Sequence, residues 1–426
     1  MHEHFNVSEW LVDRHVEAGN GERIAIRSGG ESLTYVEVLG RVEAAAGGLR
    51  ALGVRCEERV AMVMLDSVEF VAMFLGALRI GAVPVPMNPL LPGRDLAVIV
   101  ADSRARVVAI SATREQSLAE LRAGAPEVEI VISSGGGGDD LLGWADFIGA
   151  GSDGSVADTW AESPGFWLCT SGSTGQPKLA MHRHADIPAT CETYADQVLG
   201  ITADDICFSV GPMFHAYGLG NSLTFPFSVG ATAVLEPTRP PTPQLVAGIV
   251  TSERPTLFFC IPTFYAALLA SDLADDVFAS VRFGVSAAEA LPSETFERFR
   301  NRFGVTISTA SDRPSSCTSI SPTPRQGSAP EQVGGPCLAT RSVSSTSRTT
   351  IRASTFPANS WCAGRRQPPG TGAAATQPEQ RSKVSGCVLG ISTQSMLTDS
   401  IRISAEWTTC CASVASGCRR LKSRVS

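Results

Sequence analysis

Apolar and polar positions along the first three hundred residues follow two rhythms that alternate. Glu58–Leu65, ERVAMVML, is a continuous apolar run of strand length and rich in Val, the pattern of a strand buried on both faces. The next stretch, DSVEFVAMFLGALRIG, changes to helical spacing. Ser67 stands where a helix cap belongs, and Val68, Val71, Phe74, Leu75 and Leu78 fall on one face. AVPVPMN then reads as a short extended segment, GRDLAVIVADS as a helix and ARVVAIS as a strand. After a gap the same order resumes. DICFSVGP, GATAVLEP, TPQLVAGIVTSER, PTLFFCIPT, TFYAALLASDL, VRFGVSAAE and PSETFERFRNRFG carry on the alternation of strand and helix. Strand and helix at this short spacing predict an α/β fold of parallel sheets with helices on both faces. In such sheets ligands bind beyond the carboxyl ends of the strands.

The pattern stops near Ile307. Up to that residue there are 37 acidic and 21 basic side chains; from Ser308 onward there are 5 and 14. Seven of the 12 cysteines fall in the second part: Cys317, Cys337, Cys362, Cys387, Cys410, Cys411 and Cys418. It is crowded with Ser, Thr, Arg and Pro and has almost no sustained period. The expected division is therefore a patterned domain over 1–307 and a low-order tail over 308–426. A disordered basic tail is one reading of that composition. A disulfide or zinc module is disfavoured, because no CxxC pair occurs.

Charge and length narrow the function. A net charge of −7 argues against a nucleic-acid partner, whose binding would rest on Lys and Arg neutralising phosphates. No apolar run reaches the roughly 18–20 residues that span a bilayer. The start, MHEHFNVSEW, has neither a basic flank nor an apolar core of a secretion signal, so the cytosol is the expected compartment.

The chemistry concentrates in FWLCTSGSTGQPKLAMHRH, Phe166–His184. An apolar strand gives way to a loop in which Gly172 and Gly175 lack Cβ atoms, so backbone N–H groups can wrap an anion. Thr170, Ser171, Ser173 and Thr174 add hydroxyl donors, and Lys178 a positive charge. This composition suits a phosphate cradle. It also suits a structural Ser/Gly linker, although the position directly after a strand speaks for the cradle. It is not a Walker loop, since Pro177 precedes the lysine and Leu179 follows it. His182 and His184 at i, i+2 fit no helical metal face, and no metal site is expected. His215, Phe214 and Tyr217 can each be ordinary packing residues, and Glu289 and Glu294 read as a solvated edge.

TSGSTGQPK closely resembles the phosphate loop of the adenylate-forming enzymes, which include acyl-CoA synthetases, luciferases and the adenylation domains of peptide synthetases. The resemblance continues in register. GPMFHAYGLG (Gly211–Gly220) is similar to the family's acyl-pocket motif, and VSAAEALP (Val285–Pro292) to the motif that closes the pocket and touches adenine. LTYVEVLGRV, LRALGV and FLGALRIGAVPVPMNPL resemble its N-terminal half. HAYGLGNSLTFPFSVGATAVL and SAAEALP are most similar to benzoate–CoA ligases. The resemblance covers about residues 5–307. It implies ATP, coenzyme A and Mg2+ as cofactors and a small carboxylic acid as substrate. By position, Thr170, Ser171, Gly172, Ser173, Thr174, Gly175 and Lys178 would hold the ATP phosphates. His215 would stand with Lys178 as catalytic, at the acyl pocket near the approach of the thiol. Tyr217 and Gly218 would line the pocket, and Ala287, Ala288 and Glu289 would bound it and the adenine. Ala287 stands where the family more often carries glycine, which implies less room for the acyl group.

After FGVTI the family would continue Asp-Gly-x-Gly-Ser-Thr-Glu, its glutamate a magnesium ligand. The chain has STASDRPS over 308–315. Codons for those residues are TCN ACN GCN TCN GAY CGN CCN AGY. Regrouped so that each triplet borrows the last base of its predecessor, they permit Leu-Asp-Gly-Ile-Gly-Ser-Thr-Glu. A chain read out of frame from about Ser308 accounts together for the changes in charge, cysteine content and periodicity. The family also needs an aspartate in Thr-Gly-Asp for the ribose and a lysine on a small C-terminal domain. The tail contains no Thr-Gly-Asp, and its two lysines, Lys383 and Lys422, lack the motif. The expectation is an impaired ligase with an incomplete N-terminal domain and without its normal small C-terminal domain. The alternatives are an inactive nucleotide- or acid-binding remnant and a gene product without a role.

Overall fold

The computed structural model describes residues 3–138, 140–171 and 177–309. The glycine-rich part of the phosphate loop and nearly all of the segment beyond Ser308 lie outside them. Fourteen strands occur among the described residues: β1 Ile24–Ser28, β2 Glu31–Thr34, β3 Arg59–Val63, β4 Val83–Pro86, β5 Val107–Ile110, β6 Ile130–Ser133, β7 Leu142–Gly143, β8 Pro164–Ser171, β9 Pro177–Arg183, β10 Ile206–Ser209, β11 Thr232–Leu235, β12 Leu257–Cys260, β13 Phe283–Ser286 and β14 Ile307–Thr309. They form a seven-stranded sheet in the order β14-β13-β12-β10-β11-β1-β2, a five-stranded sheet in the order β4-β3-β5-β6-β7, and the hairpin β8-β9.

Most neighbours are parallel, as the alternating pattern predicts. The exceptions are the antiparallel pairs β1-β2 and β8-β9, the second of which brackets the phosphate loop. The strands and helices read over Glu58–Ser111 are present within a few residues, and the later alternating segments form β10, β11, β12 and β13 and the helices Pro243–Glu253, Pro262–Ala270 and Ser293–Phe303. Ser67 caps the helix Val68–Arg79 by accepting the Phe70 N–H at 3.3 Å. That helix is buried on nearly every side from Phe70 to Arg79, beyond the single face its spacing implied. Gly76 allows this, since a Cβ there would lie 2.9 Å from the Ala45 methyl on the helix Tyr35–Ala51. Arg79, at the buried C-terminal end, ion-pairs with Asp13 at 2.9 Å and with Glu43 at 3.2 Å.

The core follows from the layers. Phe208, Phe258, Tyr265, Phe278, Phe299 and Phe303 pack ring against ring between the seven-stranded sheet and the helices Pro262–Ala270 and Ser293–Phe303. β14 carries that sheet to its outermost described strand, with Ser308 and Thr309 paired to Val285 and Ser286. Among the described residues no helix is long and apolar enough to cross a membrane.

Candidate active site

Two of the segments singled out in the sequence, Gly211–Gly220 and Val285–Pro292, stand at the carboxyl ends of the parallel strands β10 and β13, whereas the loop after Phe166 joins the two strands of the antiparallel hairpin β8-β9. Ser209 ends β10, and its hydroxyl accepts the Gly211 N–H at 3.2 Å, starting the turn that leads to His215. His215 is the N-cap of the short helix Ala216–Leu219. The chain then widens into a π-helical turn over Gly220–Thr224, a geometry frequent at functional sites. Gly218 is required by packing: a Cβ there would sit 2.1 Å from the Pro212 carbonyl oxygen.

Tyr217 ties this turn to the next two strand ends. Its phenol OH lies 3.1 Å from the carbonyl oxygen of Cys260, the last residue of β12, and 3.1 Å from that of Val285 in β13. Tyr265 also reaches the Val285 carbonyl, at 3.1 Å. Ser286, Ala287 and Ala288 follow directly. Ala287 is buried, and Ala288 takes a left-handed backbone with φ 74°. A left-handed backbone suits glycine, and here an alanine adopts it. Glu289 lies half-buried beside it.

His215 is open to solvent on one side yet hemmed in by protein, and the loss of hydration lowers its pKa from the ordinary value. That shift favours the neutral imidazole. Burial raises the Tyr217 phenol well above its ordinary range, so it stays protonated. The turn thus brings a His and a Tyr beside two strand ends, with Glu289 half-buried next to Ala288.

Thr170 and Lys178 face each other across the hairpin, with the Thr170 hydroxyl donating to the Lys178 carbonyl at 3.3 Å. Lys178 is exposed. Cys169, beside Thr170, points its thiol at the Pro86 carbonyl 3.8 Å away, and burial pushes it up to about 12. It is a packed thiol and no nucleophile. Gly172, Ser173, Thr174 and Gly175, and the side chain of Ser171, lie outside the described residues. His182 stacks on Phe166 with ring centroids 4.7 Å apart and faces Asp186 at 3.3 Å. His184 is wholly buried and accepts the Val7 N–H on Nδ1 at 3.1 Å.

The family model for AMP-binding enzymes matches residues 12–311. The chain belongs to the AMP-binding enzyme family. Among curated relatives, this AMP-binding chain is 39% identical over 308 residues to a benzoate–CoA ligase of Thauera aromatica, covering 72% of this chain and 58% of that one. It is 37% identical to a 4-hydroxybenzoate–CoA/benzoate–CoA ligase of Rhodopseudomonas palustris, covering 70% and 56%. Among solved structures, a benzoate CoA ligase from Burkholderia xenovorans LB400 matches with a TM-score of 0.66 and 37% identity, over 71% of this chain and 60% of that one. An anthranilate CoA ligase in complex with anthranoyl-AMP matches with a TM-score of 0.69 and 30% identity, over 71% and 59%. The chain therefore spans less than two thirds of the length of these relatives. The large N-terminal domain of adenylate-forming enzymes is the fold that the matched residues share.

Sequence reasoning missed several polar residues around the cluster. Asp66 and Arg239 form a buried ion pair at 2.7 Å. Asn221 Nδ2 and Ser286 Oγ are buried with no protein partner. Asp66 could have been noticed as a lone carboxylate between an apolar strand and a helix cap; the others carry no signal in the sequence.

Proposed function

We propose that this AMP-binding chain comes from an ATP-dependent acid–thiol ligase acting on a one-ring aromatic acid such as benzoate. The observation that carries this reading is the agreement of the relatives: the curated matches at 37–39% identity are named for benzoate and 4-hydroxybenzoate. In the first step a carboxylate oxygen attacks the α-phosphorus of ATP, forming an acyl-adenylate and releasing pyrophosphate. In the second the sulfur of coenzyme A attacks the acyl carbon and AMP leaves with the bonding pair. The loop Thr170–Gly175 and Lys178 hold the polyphosphate and spread its charge over backbone dipoles and one ammonium. Neutral His215 borders the path of the thiol, able to accept its proton. Ala287, Ala288 and Glu289 edge the acid and the adenine. Among the described residues no group of three or more His, Cys, Asp or Glu converges to hold a metal. Mg2+ enters as the companion of ATP.

The chain as it stands is an impaired form, its reading frame displaced from about Ser308. The family match ends at residue 311, where the composition has just changed. The genetic code explains the new composition. A TCN serine, a cysteine or a tryptophan codon begins with T; one base back, that T becomes the middle base, and every codon with a central T encodes Phe, Leu, Ile, Met or Val. The seven cysteines among residues 308–426, and those of its 23 serines that TCN codons encode, are what apolar residues become in the wrong frame. Without the glutamate, the ribose aspartate and the domain lysine, turnover falls by a hundredfold or more, since removing one such charge-stabilising donor costs on the order of a hundredfold.

Resequencing the gene and assaying pyrophosphate release with benzoate, before and after restoring the frame by one base, test both claims. An uninterrupted neighbouring frame and activity only in the corrected chain are expected. Stop codons scattered through that frame refute the displacement. Full turnover by the present chain refutes the impairment, and no turnover of any one-ring acid by the corrected chain refutes the substrate class. A second reading, a nucleotide- or acid-binding remnant, is favoured by measurable ATP affinity without product.

A further inference from the structure

Asp66 is a carboxylate in an apolar place. It follows β3 at the carboxyl end of the five-stranded sheet, one residue before the helix cap Ser67, and is 3% exposed. Each oxygen has one partner. Oδ1 accepts the backbone N–H of Met213 at 3.0 Å, and Oδ2 accepts from Arg239 Nη2 at 2.7 Å. Arg239 lies beyond β11 and is itself anchored, its Nη1 donating to the carbonyls of Glu236 at 2.8 Å and Thr238 at 2.9 Å. A single carboxylate therefore joins the end of β3 in one sheet to the segments that follow β10 and β11 in the other. Met213 is two residues before His215 and four before Tyr217.

We propose that Asp66, locked by Arg239, is a positioning residue that holds the turn Gly211–His215 and so sets where His215 and Tyr217 stand. The role rests on the reading that this turn walls the acid pocket. An ion pair this buried is a poor source of stability, because desolvation of two charges offsets their attraction. Its geometry is its use: a charged acceptor fixes one backbone N–H, and a planar guanidinium fixes the acceptor. The carboxylate touches no reacting group and acts only through the Met213 amide.

The test is Asp66→Asn in the full chain, read in two ways. Hydrogen exchange of peptides covering 211–219 is expected to accelerate at least tenfold, with other segments unchanged. Calorimetric titration is expected to show benzoate binding weakened about tenfold, while ATP binding at the hairpin is unaffected. If exchange and benzoate affinity both stay as in the parent, the proposal fails. If ATP affinity and exchange across the whole fold deteriorate together, Asp66 is a general structural tie and the proposal fails too. If the turn loosens while benzoate affinity is unchanged, or the parent binds no benzoate, positioning stands and the acid-pocket reading falls. Arg239→Lys keeps the charge but loses the fork to Glu236 and Thr238. It is expected to loosen the same peptides by a smaller factor, and it serves if the asparagine variant does not fold.

Discussion

Two neighbouring alanines, Ala287 and Ala288, respond in opposite directions to the same change. Ala288 holds φ at 74°, where the Cβ of an L-residue crowds the following carbonyl. That conformation costs about 1–2 kcal/mol for alanine. Glycine removes the cost but enlarges the freedom of the unfolded chain, which returns about 0.4–1 kcal/mol. Ala288→Gly is therefore expected to stabilise the fold by about 0.5–1 kcal/mol. Ala287 is 5% exposed and its φ is not positive. Its replacement by glycine loses a buried methyl, about 0.8 kcal/mol, and adds the same unfolded-state freedom. Ala287→Gly is expected to destabilise by about 1–2 kcal/mol. Urea unfolding followed by tryptophan fluorescence reads both, as midpoint shifts of a few tenths molar in opposite directions with unchanged slope. Two shifts of the same sign refute the assignment of strain to Ala288.

Three further outcomes follow from other contacts. Lys178→Ala is expected to weaken ATP binding about tenfold, or about 1.4 kcal/mol, and to leave benzoate binding unchanged; titration with each ligand separates the two. Gly218→Ala forces a methyl to 2.1 Å from the Pro212 oxygen and is expected to cost about 3 kcal/mol, read as a lowered thermal midpoint. His184 is buried neutral, with burial lowering its pKa to about 4, so the folded state binds fewer protons than the unfolded one below the ordinary value of 6.5. Its contribution is complete above pH 6.5 and lost as pH falls towards 4, by about 3 kcal/mol; urea midpoints across that range should lose part of their acid dependence in His184→Phe.

The parallel layers were legible because strands buried on both faces are written as unbroken apolar runs, and the helices between them carry helical spacing and, in places, end signals. Ser67 caps the helix Val68–Arg79, and the left-handed Gly304 closes the helix Ser293–Phe303. The hairpin β8-β9 was not legible. Its second strand, PKLAMHR, mixes Lys, His and Arg with apolar residues and leaves Met181 73% exposed, so no clean period of two appears. The residues of the His215 cluster and their expected roles were named from a motif, yet their contacts were not. Nothing in HAYGLG says that the Tyr217 hydroxyl is spent on two strand-end carbonyls, because that contact depends on sheet order. Asp66 and Arg239 are 173 residues apart, and only the meeting of two sheets brings them together.

That meeting bears on what the chain can still do. Phosphate hairpin, acid cluster and Asp66 tie all belong to elements that precede the end of β14. They are built from strand ends whose order is fixed by a core of closely packed rings and helices. In the proposed function the residues expected after β14 neutralise charge during transfer, and those before it hold the reactants. Holding the reactants and accelerating their reaction are thus assigned to different stretches of the sequence. Loss of the second need not remove the first, and binding energy that does not grow in the transition state gives affinity without rate. The proposed function therefore predicts affinity for nucleotide and acid from the elements up to β14, with little turnover, and binding measured beside pyrophosphate release separates the two.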